Sequence, residues 1–221
     1  MSGTESGPAG SRPKLHQAFT LIEVLVVVLV LLLFAGLAWA FVGSARHVHH
    51  HLTCSQNLKE IGLAVPDFAR DHGNRVGWQI STNEGGSLEY GLSGAQTFRH
   101  FQVQSHYINA CIILLCPQDN RDAAANWGSL SNANVSYFVG LDSDPKLPLS
   151  IVAGDRNITA ASGVILQWNP SSPPGWVKSV GLHGDKGHVA FGDGHVEELD
   201  SAGLSNALQR AGMSTNRFAV P

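Results

Sequence analysis

Charge is scarce in this 221-residue chain: Asp, Glu, Lys and Arg make up 14% of it, against ~25% in a typical soluble domain. Fourteen basic residues face 17 acidic ones, a formal charge of −3, and no acidic or basic tail stands out. The footprint that a polyanion needs is missing, so nucleic acid is not an expected partner. Cysteine is sparse too. Cys54, Cys111 and Cys116 are an odd set, so at most one internal bridge forms and one thiol is left over. Cys111–Cys116 would close a short loop, three buried thiols would pack as small hydrophobes, and Cys54–Cys116, the favoured pair, would staple a helix to the region after it. A catalytic set is absent as well. Asp155, Arg156 and Asn157 adjoin one another without a nucleophile and base at readable spacing, and read as a structural Asp–Arg pair. Glycine, at 24 residues, is what the chain has in plenty, as suits a loop-rich exported head.

The long apolar run is N-terminal. From Phe19 to Val42 only Thr20, Glu23 and Gly36 interrupt it, and at ~1.5 Å per residue it makes a helix of roughly 36 Å, enough to cross a bilayer with some tilt. Residues 1–18 are rich in Gly, Ser and Pro, with Arg12 and Lys14 near the run. They read as a cytoplasmic leader whose positive charges hold that end inside, so that the remainder is exported. Glu23 is a carboxylate inside a membrane segment, which costs a few kcal/mol and calls for a partner, or for snorkelling to the interface. A rival reading is a secretory signal peptide cut after Ala38-Trp39-Ala40. The two leave different mature N-termini, Phe19 or Phe41.

Residues 43–71 read as an amphipathic continuation of the helix. Val48, Leu52, Leu58, Ile61, Leu63 and Val65 recur at broadly helical spacing, with Arg46, Lys59 and Glu60 between them. Pro66 should kink or end the helix nearby, and Asp71-His72-Gly73-Asn74 is a stop signal. His47 and His51 share a helix face and, with His49 and His50, invite a metal reading, but no adjacent Asp, Glu or Cys completes a set. A solvated juxtamembrane face is expected instead.

Residues 72–221 read as one globular head. Between Gly77 and Val139 short apolar pieces alternate with turn residues, which predicts strands joined by long loops, with residues 97–105 as an alternative short helix. Asp142 and Asp144 offer carboxylates to calcium, although a capped turn is the commoner arrangement. Residues 151–159 predict a strand joined to a polar corner, residues 163–168 the next strand, and residues 169–176 a loop. Residues 187–191 and 195–199 flank Gly192-Asp193-Gly194 and predict a hairpin, because Asp-Gly suits a turn with positive φ. Residues 201–212 predict a short terminal helix with Leu204 and Leu208 on one face. His183, bonded to the Asp193 carboxylate, would fix the hairpin against the head; a metal or hydrolase site with His188 and His195 is the chemical alternative.

The order Ala18-Phe19-Thr20-Leu21-Ile22-Glu23 before an apolar run resembles the processing and assembly signal of type IV pilins and type II secretion pseudopilins, which usually carry Gly where this chain has Ala18. Cys54-Ser55-Gln56-Asn57-Leu58-Lys59-Glu60-Ile61-Gly62 resembles the segment after the stalk in a large bacterial family of pseudopilin-like proteins. His183, nine intervening residues and Asp193-Gly194 resemble that family's C-terminal mark. The resemblance implies a pilin-like α+β fold, a long N-terminal helix packed on an antiparallel sheet. It implies cleavage between Ala18 and Phe19 by a prepilin peptidase/methyltransferase, N-methylation of Phe19, and pairing of Glu23 with the Phe19 ammonium of a neighbouring subunit. The implied partners are other pilin or pseudopilin subunits, an inner-membrane assembly platform and membrane lipid. The implied location is a single-pass position in a bacterial inner membrane, head in the periplasm. The chain is then a substrate of enzymes and not itself one, with no cofactor required, although calcium occurs in major pseudopilin heads. A membrane-anchored periplasmic enzyme or metal-binding protein using the histidines and Asp193 is the alternative from another class.

Overall fold

The computed structural model describes residues 19–144, 146–158, 163–168, 174–178, 182–213 and 216–221, the side chains of residues 40–49 excepted. The leader with Ala18, the side chains of His47 and His49, and residues 169–173 of the expected loop lie outside the described residues. The described residues fall into two units, divided between Arg46 and His47.

One helix, α1 (Leu21–Asp71), contributes to both units. In the first, the stretch Leu21–Trp39 is long and apolar enough to cross a membrane. Its side chains have no protein around them: Leu21 is 83% exposed and Trp39 86%. An apolar surface of that extent is one that lipid or other apolar chains cover rather than water.

In the second unit the buried face of α1 runs through Cys54, Leu58, Ile61, Val65 and Phe68, each at most 2% exposed. The steps of four, three, four and three residues trace one helical stripe. Leu52 and Leu63, expected on that stripe, are exposed. Pro66 does not end the helix. It forfeits one backbone hydrogen bond, and burial of Val65, Phe68 and Ala69 around it outweighs the loss. The helix stops where Gly73 and Asn74 turn to φ +67° and +59°, with the Asn74 amide donating to the Ala69 carbonyl at 2.7 Å.

The expected strands between Gly77 and Val135 are absent among the described residues. Short 3-10 helices and α2 (Phe98–Gln102) occupy the region, and the alternative of a short helix within 97–105 is the one that forms. The reason is local satisfaction of backbone amides. Ser81 Oγ accepts from the Asn83 amide at 3.3 Å, Ser93 Oγ from Ala95 at 3.2 Å, and Asn126 Oδ1 from Ser129 at 3.0 Å. Such side-chain acceptors offer the backbone an alternative to a ladder. The apolar residues of these segments, among them Trp78, Ile80, Phe101, Ile108 and Leu114, are single buried anchors.

The sheet comprises β1 (Tyr137–Gly140), β2 (Ile151–Asp155), β3 (Val164–Gln167), β4 (Lys186–Phe191), β5 (Val196–Asp200) and β6 (Arg217–Val220), in the order β3-β6-β1-β2-β4-β5. All of its pairings are antiparallel. The architecture is thus α+β, as expected. β6, unforeseen in the sequence, enters between β1 and β3. Side-chain alternation sends Tyr137, Val139, Ala190 and Ala219 into the core shared with α1. Phe138, Val189, Phe191, Phe218 and Val220 go to a second core with Leu204, Ala207 and Leu208 of α3 (Ser201–Arg210), which Asp200 caps by accepting from the Gly203 amide at 2.7 Å. The α1 side is lined with small residues, and a Cβ placed on Gly62 of the helix would sit 3.3 Å from Ala190 Cβ. The helix therefore lies close on the sheet.

In the β4–β5 hairpin the Gly194 amide donates to the Phe191 carbonyl at 2.9 Å, and Gly194 alone takes positive φ, at +83°. It is a three-residue connection, Gly192-Asp193-Gly194, with a left-handed glycine at its last position, as the flanking strands predict. A Cβ on Gly194 would also meet Leu63 Cδ2 at 2.7 Å. Gly194→Ala should cost about 1 kcal/mol or somewhat more, measured as a lower denaturation midpoint at unchanged slope.

His100 is fully buried, its Nδ1 2.8 Å from Ser87 Oγ, and burial pushes its pKa down to about 4. An unfolded imidazole titrates near 6.5, so folding favours the neutral form. That contribution is complete above pH 6.5 and drains away as pH falls through 4. From this group alone the head should be about 2 kcal/mol less stable at pH 4.5 than at pH 7. Comparison of pH-dependent melts of the wild type and His100→Gln should show that slope flattened in the variant.

Candidate functional site

Two places carry chemistry, one in each unit. At the start of α1 the Thr20 amide and Thr20 Oγ1 each donate to Glu23 Oε2 at 2.8 Å, and the Glu23 amide donates to Thr20 Oγ1 at 3.3 Å. This is a capping box, T-x-x-E, in which two side chains satisfy amides that the helix leaves unbonded. Glu23 thus has an intramolecular partner in Thr20, which the sequence spelled out and the reading of Glu23 as an isolated carboxylate overlooked. Phe19 precedes the cap and is 84% exposed.

In the second unit the α1 face of the sheet holds a polar cluster. Asp155 ends β2 and His188 lies on the adjoining β4, and both point to the side that carries Tyr137 and Ala190. Asp155 is fully buried. Its Oδ2 accepts from the His188 amide at 2.7 Å and lies 3.1 Å from His188 Nδ1 and 3.5 Å from His183 Nε2. His183 sits in the turn before β4. Asn157 Nδ2 donates to the carbonyls of Gly184 at 3.3 Å and Lys186 at 2.9 Å, which ties that turn to the end of β2. From α1, the ring of His51 packs on His183 at 4.4 Å and on His188 at 5.8 Å between centroids. Its Nδ1 is 3.8 Å from Glu198 Oε1. Burial, against the opposing pull of Asp155, pushes the His183 pKa down to about 4. Burial and then the Asp155 charge hold the Tyr137 phenol well above its ordinary value.

Cys54 and Cys116 form a disulfide across a separation of 62 residues, with Cα atoms 5.1 Å apart. Cys111 is a buried free thiol that donates to the Ala124 carbonyl at 3.2 Å. Cys116 Sγ lies 3.4 Å from His183 Nε2, so the bridge borders the polar cluster.

The structure corrects two pairings. His183 does not meet Asp193: the two flank β4, whose six residues span roughly 20 Å. Asp193 instead accepts from the His195 amide at 3.1 Å and contacts His195 Nδ1, within its own turn. Arg156 turns away from Asp155 and makes a two-pronged ion pair with Asp119, Nε–Oδ2 2.7 Å and Nη2–Oδ1 2.6 Å. Burial disfavours the Asp119 charge, but hydrogen bonds from Arg156 and Ser136 outweigh it and hold the pKa below the usual carboxylate value. Asp142 pairs with Arg217, and Asp144 accepts from the Lys146 amide at 2.8 Å, the capped turn of the two alternatives.

Sequence reasoning missed the Asp155–His183–His188 cluster because its members come from a strand end, a turn and the next strand. Only the period-two alternation placing His188 with Ala190 on the helix side hinted at it. No curated protein and no solved structure shows significant similarity to the chain. Residues 13–39 match the family model described as the prokaryotic N-terminal methylation motif. The N-terminal segment is therefore a prepilin-type methylation motif leading an apolar helix, which makes the chain pilin-like in that part.

Proposed function

We propose that the chain is the precursor of a structural subunit in a pseudopilus or type IV pilus-like filament of the type II secretion kind. A prepilin peptidase/methyltransferase cuts between Ala18 and Phe19 and methylates the Phe19 amine. The helix then stays in the inner membrane, head in the periplasm, until an assembly platform passes it into a filament with other pilin subunits. The observation that carries this reading is Phe19-Thr20-Leu21-Ile22-Glu23 at the head of an exposed apolar helix, inside the matched methylation motif. His183, Asp193 and Gly194, at the spacing of the pseudopilin-like C-terminal mark, support the finer assignment.

The mass of the mature N-terminal peptide tests the processing step. Methyl-Phe19 is the expected end; an end at Phe41 would identify a signal peptide and remove the proposal.

Glu23 has two roles to separate, the cap on α1 and the pairing with a neighbour's Phe19 ammonium. Glutamine can serve in a capping box but carries no charge. Glu23→Ala and Glu23→Gln should both leave cleavage intact and both abolish incorporation into filaments. If Glu23→Gln assembles normally while Glu23→Ala does not, capping is the requirement and the charge pairing is dismissed.

A further inference from the structure

The buried Asp155 carboxylate is thinly compensated among the described residues. Burying an ionised carboxylate is expensive unless a cation or a full set of hydrogen bonds accompanies it. Arg156, the adjacent cation, is committed to Asp119. Oδ2 has the His188 amide and two imidazoles around it, while Oδ1, buried, accepts no hydrogen bond, and His183 Nδ1 is likewise buried without a partner. These two atoms are not ligand candidates themselves; they show how thinly this carboxylate and its imidazole neighbours are compensated by the surrounding protein.

We propose that Asp155, His183 and His188 bind a divalent transition-metal ion of the zinc type in the head. A tetrahedral ion with bonds of ~2.0–2.1 Å sets its ligand atoms about 3.3 Å apart. Asp155 Oδ2 lies 3.1 Å from His188 Nδ1 and 3.5 Å from His183 Nε2, and all three atoms fall within 4.8 Å of one another. Two imidazoles and one carboxylate are a donor set that suits zinc and leaves a coordination position open. His183 also lines a pocket with His50, His51, Pro117 and Gln118, from which water can fill that position. The parts are held before the ion arrives: the His188 amide fixes Oδ2, and Asn157 fixes the turn bearing His183. With the Cys54–Cys116 bridge intact neither sulfur is a thiolate, so the set is nitrogen and oxygen only.

The competing source of zinc affinity is the helical run His47, His49 and His50. The test uses the full chain in detergent, disulfide intact, with zinc chloride as the probe and bound metal counted after removal of free ion. One zinc per chain is expected, retained when His47, His49 and His50 are all replaced by Gln. Affinity should fall at least tenfold in both His183→Ala and Asp155→Asn, at unchanged circular dichroism. His183→Ala removes no acceptor from the backbone, so it carries the test if Asp155→Asn fails to fold. The proposal is overturned by absence of stoichiometric binding, by binding that follows His47, His49 and His50 while surviving His183→Ala, or by binding that requires reduction of the disulfide.

Discussion

The head depends on the packing of one helical stripe, Cys54 to Phe68 of α1, against a strip of the sheet made of small side chains. Full burial of Leu58, Ile61, Val65 and Phe68 is worth about 2 kcal/mol for each side chain. That gain requires the helix to lie close, hence alanine at 153, 190 and 219 on the facing side and Gly62 on the helix. Close approach fixes much else. It decides which strand residues face the helix, lets the Cys54–Cys116 bridge form, and creates the narrow layer in which His51, Asp155, His183 and His188 meet. Polar bonds complete the seam: Asn57 Nδ2 donates to the Leu115 carbonyl at 3.0 Å, and the Tyr107 hydroxyl donates to Asp71 at 2.8 Å.

Such a layer is an unfavourable place for a carboxylate, and two acids with buried side chains, Asp119 and Asp155, illustrate two solutions. Asp119 receives both prongs of Arg156 and the Ser136 hydroxyl, and its charge is matched where it sits. Asp155 has only imidazoles and one backbone amide, groups that offset a full charge far less well than a guanidinium. The chain neutralises one buried acid with arginine and places imidazoles around the other.

How much of this was legible in the sequence varies with the range of the information. Signals contained in a few consecutive residues were readable: the span of α1, the β4–β5 hairpin, α3 and the N-terminal motif each depend on local periodicity, caps or turn residues. The region from Gly77 to Val135 misled because single apolar anchors between turn residues look like short strands, whereas Ser81, Ser93 and Asn126 satisfy the backbone on the spot. β6 is four residues long, yet it is hydrogen-bonded on both sides; its place comes from partners distant in sequence. The His183–Asp193 pairing failed for a geometric reason, since residues on either side of a strand that long cannot touch.

The Thr20–Glu23 cap bears on why a carboxylate is tolerated at the head of an apolar helix. The first amides of any helix lack intrahelical partners, and in a low-dielectric setting each unsatisfied one costs more than in water. A glutamate at the third helical position takes the Thr20 amide and hydroxyl while the threonine takes the Glu23 amide, so the charge and the bare donors offset one another within one turn. The helix dipole adds to the same effect, because a negative group near the N-terminus is favoured. In the proposed filament, an incoming ammonium from a second chain would meet a carboxylate whose position is already set and one of whose oxygens is committed. It would need to supply only the difference between that cap and an ion pair, not the whole cost of a buried charge. On that proposal, the cap lets Glu23 be held within one chain before assembly and still offer its second oxygen to a neighbour.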